Sequence, residues 1–67
     1  MIGQKLREIR GGRSRREIAA AAGIGTDHLA SIEIGRRVPS LDVLGRLGSA
    51  LGASRSEIGE LALMVAR

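Results

Sequence analysis

The side chains of this sequence that could do chemistry are few, and they suit binding better than bond-breaking. His28 is the only histidine and cysteine is absent, so neither a His/Cys metal site nor a thiolate nucleophile can be assembled. The carboxylates stand singly, without a partner at the spacing that general acid–base work requires. Gly11-Gly12 lacks both a following Lys-Ser/Thr and a preceding strand, so it is no phosphate loop. An enzyme is a poor reading, and neither a cofactor nor a metal is expected. What remains is polar and cationic. Thr26, Asp27, His28 and Ser31 lie close together, with Arg13, Arg15 and Arg16 before them and Arg36 and Arg37 after. Guanidinium groups so placed can hold phosphates, and Ser14 with Arg15 would sit at a helix N-terminus whose free amides favour an anion. The plain alternative for each is solvated surface.

The elements that must position these groups lie in residues 14–40, SRREIAAAAGIGTDHLASIEIGRRVPS, which read as two short helices joined by a tight turn. Ser14 and Glu17 have the spacing of a capping box. Ile18, Ala19 and Ala22 then mark a buried stripe, and Gly23 is free to stop the helix. Small residues from Ala19 to Ala22 let a second helix cross closely. Leu29 and Ile32 face that helix inward, with Ile24 in the turn filling the angle. Thr26, Asp27, Ala30, Ser31 and Ile34 fall mostly on the other side. Gly35 is the next stop, and Pro39 keeps the chain extended before a new start at Ser40. A helix with basic residues beyond each end suits the major groove of duplex DNA.

Outside this segment, Ile2, Leu6 and Ile9 form one face of a first helix that Gly11-Gly12 ends. Leu41, Leu44, Leu47 and Leu51 mark a fourth helix closed by Gly52, with Gly45 and Gly48 inside it. Ser54 and Glu57 form a second capping box and open a fifth helix, whose tail from Leu61 to Ala66 is apolar nearly all round. Its inward stripe is expected to be Ile58, Leu61 and Val65, which leaves Leu63 and Met64 projecting to flanking or opposite sides.

Composition sets consistent limits. With 67 residues and no Phe, Tyr or Trp, residues 1–67 should form one small all-α domain packed with Leu, Ile, Val and Ala. Missing aromatics also remove the platforms on which single-stranded nucleic acid stacks. No apolar run reaches membrane-spanning length and the start lacks a signal-peptide pattern, so a cytoplasmic protein is expected. The net charge is +4, and its excess is uneven: Lys5, Arg7, Arg10, Arg13, Arg15 and Arg16 face only Glu8 in residues 1–16. Together with Arg36 and Arg37 this resembles an electrostatic footprint for phosphates.

The order and spacing of Ser14, Ile18-Ala19, Gly23-Ile24-Gly25 and Ile32-Glu33-Ile34-Gly35-Arg36-Arg37-Val38-Pro39-Ser40 resemble the helix-turn-helix of the Cro/cI (Xre-like) family of phage and bacterial repressors. Leu6 to Arg10 and Leu44 to Gly52 extend the likeness over nearly the whole chain. The resemblance implies a compact five-helix, lambda-repressor-like DNA-binding fold with the motif at helices 2 and 3. It implies base reading by Thr26, Asp27 and Ser31, with His28 adjacent. It implies phosphate contacts by Ser14, Arg15, Arg36 and Arg37, with Arg13 and Arg16 as helpers, and a partly buried ion pair between Arg10 and Glu33. Three departures stand out. Arg15 replaces the family's usual Gln. Gly48 replaces its usual Ala, which points to close helix approach. The Gly11-Gly12-Arg13 connection is roughly two residues shorter than usual, which would tilt helix 1 and stretch the ion pair.

The implied function is a small repressor that binds a double-stranded operator as a homodimer, with Leu63 and Met64 at the subunit interface. One alternative is a monomer whose tail packs across its own first helix. Others are an antitoxin that also binds a toxin protein, and an adaptor that uses the fold only for protein contacts.

Overall fold

The computed structural model describes residues 2–66. Five helices follow in order: α1 (Ile2–Arg10), α2 (Arg15–Ala22), α3 (Thr26–Glu33), α4 (Leu41–Leu51) and α5 (Arg55–Ala66), and no strand occurs among the described residues. Met1 and Arg67, which belong to the expected domain, lie outside the described residues. No helix among those described is long and apolar enough to cross a membrane.

Short polar signals set the helix starts. The Ser14 and Ser40 hydroxyls accept from the Glu17 and Val43 amides at 3.0 and 3.2 Å. Ser54 and Glu57 complete a reciprocal box: the Glu57 amide donates to Ser54 Oγ, and the Ser54 amide to Glu57 Oε1. At Ser14 only the serine half of the box is present among the hydrogen bonds found. At the end of α3, Ile34 keeps a negative φ and Gly35 takes φ 86°, a conformation that a side chain would strain. That reversal turns the Arg36 and Arg37 amides back onto the Ser31 carbonyl, at 2.9 and 3.3 Å.

The core is aliphatic. Leu6, Ile18, Ala19, Ala22, Leu29, Ile32, Leu44, Leu47, Leu51 and Leu61 are buried. Helix α2 packs on α3 and α4, α1 on α3 and α5, and α4 on α5. Ile24 is half-buried in the turn and packs on the core, filling the angle between α2 and α3.

Leu41 opens α4 as expected without facing the core, and one expectation about the faces of α5 is corrected. Leu41 is 65% exposed, and Pro39 is the fully buried residue where the chain enters α4. Met64 does not project away: it is half-buried and packs on the core with Val65, whereas Leu63 is 65% exposed. The reason is periodicity, since Met64 and Val65 stand three and four residues after the buried Leu61 and share its face.

Helices approach closely where side chains are missing. A Cβ at Gly3 would lie 2.5 Å from the Glu33 carbonyl oxygen and closer still to that of Ile32, so α1 rests directly on the end of α3. At Gly48 a Cβ would meet Ile58 Cγ1 at 2.7 Å, whereas at Gly45 nothing lies within 4 Å. Both glycines weaken α4 by about 1 kcal/mol relative to Ala, but only Gly48 has a packing reason. Gly45→Ala should therefore raise the urea midpoint. Gly48→Ala should lower it, because overpacking at about 1–3 kcal/mol outweighs the gain. Circular dichroism would follow both transitions, and equal stabilisation by the two changes would show that Ile58 yields freely.

Candidate nucleic-acid interface

The start of α2 offers donors. Ser14 caps it in an extended conformation, φ −75° and ψ 149°, and its hydroxyl takes the third amide of the helix. The Ile18 amide bonds the Ser14 carbonyl, and the Arg15 and Arg16 amides precede the first intrahelical bond. After the turn, α3 begins at Gly25 without a side-chain cap. Thr26 and Asp27 on its first turn are exposed, and His28, Ala30 and Ser31 are half-buried. The buried Leu29 and Ile32 fix that orientation. Arg36 and Arg37 are exposed beyond the end of α3, and no side-chain hydrogen bond or ion pair of either is found among the described residues. Their backbone is nonetheless held by the Ser31 carbonyl.

One buried carboxylate joins α1, α2 and α3. The Glu33 side chain is 1% exposed. Arg10 Nε donates to Glu33 Oε2 at 2.8 Å and Arg10 Nη2 to Oε1 at 3.0 Å, a bidentate pair. Arg15 Nε donates to the same Oε1 at 2.8 Å. At these distances the short α1–α2 connection does not stretch the pair. Arg10 Nη1 bonds the Arg13 carbonyl at 2.7 Å, so the connection folds onto the pair it was expected to disturb. Burial alone would raise the Glu33 pKa, but hydrogen bonds and charge from Arg10 and Arg15 prevail and hold it below its ordinary 4.5.

Arg13 is placed differently from a free cation. Its Nη2 donates to the Ile9 and Leu51 carbonyls at 3.0 and 3.2 Å, and its Nε to the Arg10 carbonyl at 3.2 Å. It therefore closes the end of α1 and fastens it to the end of α4. Arg16 is exposed. The bond from Arg15 to Glu33 sets the start of α2 beside the end of α3, so Ser14 to Arg16 and Arg36-Arg37 share one end of the motif. The links of Arg15 and Arg13 to distant partners had no local signal, since they span 18 and 38 residues. Gly3 had one: a single small residue between Ile2 and Leu6 on a packed face.

The arrangement offers an anion exposed guanidinium groups and free helix-start amides rather than a cavity. Among the described residues there is no pocket, and no three His, Asp or Glu residues are placed to hold a metal. A family model described as a helix-turn-helix domain matches residues 2–61. No curated protein and no solved structure matches the chain.

The carboxylate has a consequence that acid titration can read. Because the folded-state pKa of Glu33 lies below its unfolded value, its contribution is complete above about pH 5 and is lost as pH falls through the lowered value. Glu33→Gln should be less stable than the native chain at neutral pH, and the two stability curves should converge in acid. A gap independent of pH would mean that the charge of Glu33 contributes nothing.

Proposed function

Because this chain belongs to the helix-turn-helix domain family, we propose that it is a sequence-specific, double-stranded-DNA-binding transcriptional regulator of the Cro/cI type. The carrying observation is the exposed first turn of α3, Thr26 and Asp27, on a motif that also exposes Arg16, Arg36 and Arg37 at its other end. In this reading α3 enters the major groove and presents Thr26, Asp27 and Ser31 to base edges, with His28 beside them. Thr26 and Ser31 can donate or accept, whereas ionised Asp27 only accepts and favours a cytosine amino group. Ser14, Arg15, Arg16, Arg36 and Arg37 contact phosphates. Arg13, engaged with three carbonyl groups, leaves that set. The protein acts in the cytoplasm as a small repressor at an operator.

Selection of duplex DNA from a random library, followed by binding titrations over a range of salt, tests this reading. Arg36→Ala or Arg37→Ala should weaken binding to all sequences alike and lower the salt slope by about 1. Asp27→Ala should instead relax discrimination at one position, by about 1–3 kcal/mol. No preference for any duplex over random sequence would refute the proposal.

A homodimer would set two recognition helices about 34 Å apart on one face of the DNA. The exposed Leu63 supports an interface on α5, and Met64, packed on the core, supports it less. Leu63→Glu should give a folded monomer with much weaker operator binding. If sedimentation finds the native chain monomeric while it fills the operator, the dimer is wrong.

A further inference from the structure

We propose that Glu33 is a positioning residue for Arg15: a buried carboxylate that never reaches DNA holds one guanidinium ready for a backbone phosphate. The inference rests on the DNA-binding reading and assigns a task within it.

The two arginines on Glu33 are used unequally. Arg10 gives Nε and Nη2 to the carboxylate and Nη1 to the Arg13 carbonyl, and its side chain is 13% exposed. Every nitrogen of that guanidinium has a protein partner. Arg15 gives only Nε, and its side chain is 38% exposed. Both Nη groups of Arg15 are without a hydrogen-bond partner among the described residues. A guanidinium anchored through Nε keeps the Nη donors that bind phosphate.

Charge leads to the same place. One carboxylate faces two guanidiniums, so the cluster keeps one positive charge, and Arg15 is its exposed member. Arg15 is also the first residue of α2, beside amides that have no intrahelical acceptor. Much of its side-chain freedom is lost when the protein folds, so less must be lost on binding. Arg16, Arg36 and Arg37 have no such anchor among the described residues. Glu33 thereby favours a polyanion despite its own negative charge.

The test compares native protein with Arg15→Lys, Arg15→Ala, Glu33→Gln, the Arg15→Ala/Glu33→Gln double variant and Arg36→Ala, each titrated with the selected duplex at several salt concentrations. Lysine keeps the charge, but its three donors share one nitrogen, so an ammonium drawn onto Glu33 cannot hold separate donors outward as the anchored guanidinium does. Arg15→Lys should therefore bind as weakly as Arg15→Ala, about fivefold below native. Glu33→Gln should weaken the native protein but leave Arg15→Ala nearly unchanged. Native affinity in Arg15→Lys overturns the proposal. So does a Glu33→Gln effect of equal size in both backgrounds, which marks a purely structural role, or tighter binding, which marks simple charge removal. If Glu33→Gln does not fold by circular dichroism, the Lys and Ala variants at position 15 decide alone. Failure of the native chain to bind any duplex would refute the DNA reading itself. Weakening by Arg36→Ala with native binding by Arg15→Lys refutes only the positioning role.

Discussion

A carboxylate removed from water must find compensation in full, and the Glu33 side chain finds it from two directions. Arg10 arrives from the end of α1 and Arg15 from the start of α2, both onto the last residue of α3. Few other polar constraints cross between helices here, because the core is aliphatic and has no aromatic ring to lock orientation. Removing both partners would leave a buried, uncompensated charge, the costliest outcome for such an arrangement, whereas loss of Arg15 alone leaves the bidentate bond from Arg10 in place. Hydrophobic contact is non-directional, so it is these three hydrogen bonds that specify how α3 meets α1 and α2.

The rest of the architecture conforms to that junction. Gly3 lets α1 lie against the Ile32 and Glu33 carbonyls without a side chain between them, which brings Arg10 within bonding reach. Leu29 and Ile32 turn inward and leave the first turn of α3 in solvent. Gly35 then reverses the chain so that the Arg36 and Arg37 amides return to Ser31. The exposed face of α3 is thus carried on backbone that close packing and hydrogen bonds hold in place.

Local chemistry made much of this legible in the sequence. Ser14, Ser40 and Ser54 start helices because their hydroxyls reach an amide within one turn, and Gly23, Gly35 and Gly52 stop them nearby; such signals need only neighbours. Leu44, Leu47 and Leu51 declare a buried face by spacing alone. Legibility ends where a contact depends on tertiary distance. Arg15 meets Glu33, and Arg13 meets Leu51, across separations that no periodicity encodes. Met64 is hard to place for a subtler reason: in a helix apolar nearly all round, composition does not reveal which stripe is buried, and the phase is set by Leu61. The exposed face of α3 was the most readable part of the candidate site, because two large aliphatics define its opposite.

Arg13 alters how the charge of this protein should be understood. Its guanidinium bonds carbonyls at the C-terminal ends of two helices, Ile9 and Arg10 of α1 and Leu51 of α4. Each such end carries the equivalent of about half a negative charge, so one cation there answers two helix ends and spends its donors on them. Arg10 is similarly offset by Glu33. The formal net charge of +4 thus misstates where positive potential emerges. Two of the arginines nearest the motif have their donors engaged within the protein, and the donors that a polyanion meets come from those left over.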